Sequence, residues 1–162
     1  MITIVDYGMG NLGSVFNMFK KIGAASKITS DLEEIKSATK LLLPGVGSFD
    51  KAMQRINDSG IKKVLDYKVL TEQTPILGIC LGMQLMCNSS EEGNTKGLGI
   101  FDVAIKRFSN AVKVPQMGWN TISRLKSDLF TGVKEKEFMY LVHSFYAESC
   151  EAAIATTDYE LS

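Results

Sequence analysis

The sequence has one histidine, three cysteines and no net charge, and each shortage removes a class of function. A single histidine and three scattered cysteines form no ligand cluster, so neither a metal site nor a cofactor is expected. An odd number of widely spaced cysteines argues for reduced thiols in a cytosolic setting. Eighteen Lys and Arg balance eighteen Asp and Glu, which argues against a nucleic-acid partner held by a general basic field. Apolar runs such as 41–43 fall far short of the roughly 20 residues that a bilayer span needs, so no membrane partner is expected. No charged-then-apolar leader precedes the first strand, as a secretory signal would require. A cytoplasmic location is the expectation.

What is present is 162 residues, 45% hydrophobic and 22% charged, the make-up of a soluble globular chain. Strand-type and helix-type segments alternate from the start. Residues 2–5 form a short β-rich run, and a turn cluster at 7–11 leads to Leu12, Val15, Phe16 and Phe19, a helical stripe closed by Gly23. A weak strand over 26–29 precedes Ser30 and Glu33, which have capping-box spacing for a short helix. Residues 40–43 are a continuous apolar run stopped by Pro44, as expected of a central parallel strand. Helices follow over Phe49, Met53 and Ile56 and over Ile61, Val64, Leu65 and Val69; then come a strand over 75–79 and a helix over 80–87. This order predicts a parallel sheet covered by helices on both faces. After about residue 100 the texture turns β-rich, with strands expected over 103–108, 119–125, 138–145 and 153–157 and a helical turn near 128–132. A single α/β domain over 1–162 fits best, and its last strand ends with nothing to pack after it.

Gly78-Ile79-Cys80-Leu81-Gly82 has the form G-x-C-x-G between a strand and a helix, a nucleophile elbow with cysteine in place of serine. The turn is tight enough that side chains at the glycines would collide with neighbouring strands. The helix end beneath the sulfur carries partial positive charge, which favours a thiolate. A free cysteine is commonly a small buried hydrophobe; here the strand before and the helix after weigh for the nucleophile. Acyl chemistry also needs oxyanion donors. The Leu81 amide is the natural first, and Pro44-Gly45-Val46-Gly47, at the end of another strand, offers a second; the bland reading of that segment is a strand-to-helix turn. His143 alternates with apolar neighbours and has no acid close by on its strand, so it reads as a half-buried, hydrogen-bonded histidine before it reads as a base. Cys87 and Cys150 lack Gly-rich surroundings and read as packing residues.

Five motifs occur in order along the chain: 6–11 (DYGMGN), 43–47 (LPGVG), 78–84 (GICLGMQ), 115–120 (PQMGWN) and 141–145 (LVHSF). Together they resemble the glutaminase subunit of imidazole glycerol phosphate synthase, a class I (triad) glutamine amidotransferase. The resemblance implies a flavodoxin-like sheet, a Cys-His-Glu triad, and hydrolysis of glutamine to glutamate and ammonia. The ammonia would pass to a (βα)8 cyclase subunit, in a heterodimer, to make imidazole glycerol phosphate in histidine synthesis. It places Cys80 on the nucleophile, and Gly45, Val46, Gly47 and Leu81 on the oxyanion donors. Gln84, Glu92, Ser144 and Phe145 fall where the family holds glutamine. Gly10, Asn11, Met117, Trp119, Asn120 and His143 fall on the face docked to the cyclase. The family's triad histidine and glutamate lie in a His-Pro-Glu motif, and the chain is expected to lack the C-terminal part that would carry it. Gln116 stands where the family usually has histidine, and Phe145 where it has tyrosine. Three other readings stay open: a paralogue feeding a surface-sugar amidotransferase, a non-catalytic docking subunit, and a related partner-free cysteine hydrolase.

Overall fold

Leu41–Gly45 (β3) is buried at every position, and the first part of the molecule is built around it. The computed structural model describes residues 1–148 and 150–159. The chain divides into two units, 1–105 and 106–162.

In the first unit, Ile2–Val5 (β1), Ser26–Thr29 (β2), β3 and Ile76–Cys80 (β4) form one sheet in the order β2-β1-β3-β4. Each strand pairs in parallel with its neighbour, with Ile4 beside Leu42, Leu42 beside Leu77, and Gly45 beside Cys80. Five helices connect and flank these strands: Leu12–Lys21 (α1), Leu32–Lys36 (α2), Phe49–Asp58 (α3), Ile61–Asp66 (α4) and Leu81–Leu85 (α5). The reason each forms is local. Asn11 caps α1 by accepting from the Ser14 amide, and Lys20 and Lys21 sit at its negative end. The cap of α2 is Asp31, whose carboxylate accepts from the Glu34 amide at 2.9 Å, one residue later than the expected Ser30. In α3, Phe49, Ala52, Met53 and Ile56 recur at helical spacing and are all buried. With Val5, Leu41, Leu43, Ile61 and Leu65 they make the main apolar core.

The helix expected over 80–87 is shorter, and its tail becomes a strand. The carbonyls of Leu85 and Met86 accept from Leu98, Ile100 and Phe101, so the segment after residue 97 takes the bonds that would have continued the helix. Cys87–Ser90 (β5) then pairs in parallel with Phe101–Arg107 (β6), which carries the chain into the second unit.

In the second unit, Gln116–Thr121 (β7) and Phe138–His143 (β8) form an antiparallel hairpin, from Gln116 opposite His143 to Thr121 opposite Phe138. The strand expected over 119–125 starts three residues earlier and stops sooner. Arg124 takes a left-handed conformation at φ 57°, and the Glu135 carboxylate accepts from the Arg124 and Leu125 amides, which ends the ladder. The expected run over 138–145 breaks at Ser144 and resumes as Phe145–Ala147 (β9). Of the strand expected over 153–157, one bridge is present, Ser123 to Thr156. The expected helical turn is a 3-10 turn over Asp128–Phe130.

What positions the site is the contact of α5 with β3. A side-chain carbon at Gly82 would lie 1.8 Å from the Leu43 carbonyl oxygen, and one at Gly78 would lie 2.6 Å from Met83 Cα. Both obstacles are backbone, so neither can move aside. Gly13, by contrast, has nothing within 4 Å of such an atom. Gly82→Ala is therefore expected to destabilise the fold by about 3 kcal/mol, whereas Gly13→Ala stays within about 1 kcal/mol of the parent or slightly above it. Urea-unfolding midpoints of the two variants check this; equal midpoints would contradict it.

Candidate active site

The chain leaves β4 and enters α5 at Cys80, whose backbone has φ 55° and ψ −120°, outside the regions that L-residues ordinarily occupy. Such a residue costs about 1–3 kcal/mol and persists only where its surroundings over-determine it. Here they do: the backbone contacts at Gly78 and Gly82 leave the turn no other path. The strain turns Cys80 out of the sheet. It is exposed, while Leu81, next in sequence, is buried and Cys87 is buried seven residues on.

Gly45, the register partner of Cys80, ends β3 beside it. A side chain at Gly45 would meet the Gly82 amide nitrogen at 2.7 Å, the Tyr7 hydroxyl at 2.8 Å and Leu81 Cβ at 2.9 Å. The 44–47 segment, expected to supply an oxyanion donor, is thus pressed against the start of α5, and two of its residues, Val46 and Gly47, are exposed. Gly47 has φ +96° and lies against Met9, and Gly10 lies against the Pro44 ring. The loop between β1 and α1 therefore rests on the 44–47 segment.

One member of this site was missed in the sequence: Tyr7. Its hydroxyl donates to the Pro44 carbonyl at 2.8 Å, tying the loop after β1 to the segment beside Cys80. Burial, and then negative charge at Cys80, push the Tyr7 hydroxyl from 10.0 up to about 12. A lone tyrosine after a strand carries no sequence signal of this. Its position at the C-terminal edge of β1, where ligands gather in parallel sheets, was the available hint.

Two expected substrate residues lie in the same unit. Gln84 is buried on α5. Glu92, in the loop after β5, accepts from the Phe49 amide at 3.2 Å, at the start of α3. Asn11 caps α1 beside Gly10.

The remaining expected residues lie in the second unit. Met117 and Trp119 are 62% and 69% exposed, on the same hairpin face as Phe138, Tyr140 and Val142, also exposed. Trp119 and Tyr140 meet edge to face with centroids 5.6 Å apart. The side-chain amide of Asn120 donates to the Asp158 carbonyl at 3.0 Å. His143 is half-buried, its Nδ1 donating to the Phe145 carbonyl at 2.8 Å, and its ring sits 5.2 Å from that of Phe108. The Ser144 carbonyl accepts from the Phe108 amide. Among the described residues, His143 Nε2 and Gln116 Oε1 are buried without a hydrogen-bond partner, on residues that face each other across the hairpin.

Tyr7 gives the site a measurable pH signature. Its pKa is higher folded than unfolded, so its contribution is complete below pH 10 and is lost as pH rises towards about 12. Tyr7→Phe is expected to cost about 1–3 kcal/mol at neutral pH by orphaning the Pro44 carbonyl, and to flatten the alkaline fall in stability. Unfolding midpoints between pH 7 and 11 test both; an unchanged alkaline slope would contradict the assignment.

The sequence profile of the family described as glutamine amidotransferase class-I matches residues 3–161. An imidazole glycerol phosphate synthase subunit HisH 2 of Methanococcus maripaludis is 49% identical, over 99% of this chain and 82% of that protein. A HisH subunit of Bacteroides fragilis is 47% identical, over 98% of this chain and 80% of its own length. A crystal structure described as a glutamine amidotransferase superposes with a TM-score of 0.74 over 96% of this chain and 79% of that one. At 13% identity it speaks for the fold. An exposed cysteine at a strained strand-to-helix turn, a profile match across almost the whole sequence, and near-half identity to these subunits agree. The chain belongs to the class-I glutamine amidotransferases and, within them, to the HisH subunits of imidazole glycerol phosphate synthase.

Proposed function

We propose that this chain hydrolyses L-glutamine to glutamate and ammonia and delivers the ammonia to a cyclase subunit that makes imidazole glycerol phosphate. The observation that carries this reading is the exposed Cys80 at a strained strand-to-helix turn, with Gly45 paired alongside it. The Cys80 thiolate attacks the glutamine side-chain carbonyl carbon, and the carbonyl electrons move onto oxygen. That oxyanion is held by the Leu81 amide and by an amide of the 45–47 segment. The C–N bond breaks as the nitrogen gains a proton and leaves as ammonia, giving a γ-glutamyl thioester. Water then adds to the thioester, and glutamate departs with Cys80 restored. The proton donor is proposed to be the histidine of the family's His-Pro-Glu motif, oriented by its glutamate; residues 1–162 hold no such motif. His143 is not given that role, because the resemblance places it among the residues that face the cyclase.

Gln84, Glu92, Ser144 and Phe145 are proposed to hold glutamine. The exposed ladder of Met117, Trp119, Tyr140 and Val142 supports a docking face, since exposed aromatic clusters are poor solvent surface and good interface cores. With Gly10, Asn11, Asn120 and His143, it is assigned to a heterodimer with a (βα)8 cyclase in the cytoplasm. Gly10 contacts Pro44, so docking at that loop acts directly on the oxyanion segment. A peptide flip there on partner binding would prevent wasteful hydrolysis and couple ammonia release to a waiting acceptor.

Glutamate release by the full-length subunit, with and without its synthase, tests the proposal. Turnover is expected to depend on the partner, and Cys80→Ser is expected to lose more than about a thousandfold in kcat. Unchanged turnover in Cys80→Ser would remove the nucleophile.

A further inference from the structure

The start of α3 and the loop after β5 hold each other by reciprocal hydrogen bonds. Ser48, the N-cap of α3, makes no side-chain cap bond. The backbone donor of the first helical residue, Phe49, is taken instead by Glu92 from across the unit, at 3.2 Å. In return, Asp50 of α3 reaches out to the same loop. Its carboxylate accepts from the Asn94 amide at 3.1 Å to each oxygen and from the Thr95 amide at 2.9 Å. The fit is close: a side-chain carbon at Gly93 would stand 2.1 Å from Asp50 Oδ1, so any larger residue there would push the carboxylate aside. These amide bonds, Thr95 first, hold the Asp50 carboxyl below the usual range, as a carboxylate accepting backbone donors should be.

The clamp sits between two working parts of the site. Upstream, Ser48 directly follows Gly47, the end of the oxyanion segment. Downstream, the clamped loop carries Glu92, whose Oε2 accepts from the Phe49 amide and which is proposed above to hold glutamine. We propose that Asp50 is a positioning residue for glutamine: it fixes the loop through the Asn94 and Thr95 amides so that Glu92 is presented at a set distance from Cys80. Asp50 does not touch substrate and acts through Glu92. This rests on the glutaminase reading above and adds to it a determinant of substrate affinity outside the pocket.

The test uses the full-length subunit in complex with its synthase. Asp50→Ala frees the loop, and about a tenfold or greater rise in the glutamine KM is expected, with kcat within about twofold of the parent. Asp50→Asn keeps an acceptor oxygen and should stay near the parental KM. Gly93→Ala displaces the carboxylate from the loop side and should reproduce the Asp50→Ala signature, which keeps the test usable if Asp50→Ala does not fold. Hydrogen exchange at Asn94 and Thr95 reports the clamp without reference to activity and is expected to quicken in Asp50→Ala and Gly93→Ala. Faster exchange with unchanged KM would overturn the positioning role, as would a loss confined to kcat. Unchanged exchange would overturn the clamp itself. A parent enzyme that leaves glutamine intact would instead sink the glutaminase reading, while the exchange data would still decide the clamp.

Discussion

The backbone at Cys80 is held in a conformation it would leave if it could, and what holds it is the direct contact of one short helix with one strand. Gly82 sits on the Leu43 carbonyl and Gly78 sits under Met83, with no room for a methyl group at either place. Close backbone packing of this kind turns a flexible strand-to-helix join into a rigid one. In the proposed mechanism rigidity matters, because the sulfur has to be exposed and still lie a fixed distance from donors on a neighbouring strand. The register of β3 against β4, Gly45 beside Cys80, supplies that distance. The cost of the strained residue is met by the buried apolar core beneath it, where Phe49, Met53, Ile56, Leu65 and Leu85 are fully enclosed.

Helix α3 serves as the brace of this edge of the sheet. It begins just after the 45–47 segment, and its buried stripe anchors it to the core. From that fixed base it touches the loops on either side. Arg55 donates to the Gly8 carbonyl at 2.9 Å, in the loop that lies against Pro44 and Gly47. Its first turn exchanges hydrogen bonds with the loop bearing Glu92. Tyr7 completes the arrangement by bonding the Pro44 carbonyl from the other flank. The segment whose peptide planes are proposed to reorient is therefore framed by hydrogen-bonded elements, and residues 46–47 are its exposed part.

Much of this was legible in the sequence, and the reasons it was legible are physical. Alternation of short apolar runs with helical stripes implied the parallel sheet, and β1 to β4 lie where the runs are. Two glycines flanking a cysteine implied a crowded turn, and the crowding is present as backbone contacts. What failed were readings that needed long-range information. The helix after Cys80 ends early because residues 98–101 compete for its carbonyls, and nothing in 80–87 announces them. The cap of α2 fell one residue late because Asp31 and Ser30 are equally good caps on paper. Strand β7 stops where Glu135, eleven residues on from Arg124, seizes two amides. Tyr7 and Asp50 went unnoticed for the same reason: their partners are 37 and 44 residues away.

The central claim is that one of three cysteines is the nucleophile because its backbone geometry makes it so. The most direct measurement exposes the full-length subunit, docked to its synthase, to a glutamine analogue bearing a diazoketone in place of the carboxamide, and maps the adduct by mass spectrometry. A single adduct on Cys80, suppressed by excess glutamine, is the predicted result. Labelling of Cys87 or Cys150 at a comparable rate, or labelling of Cys80 that glutamine does not suppress, would contradict the account.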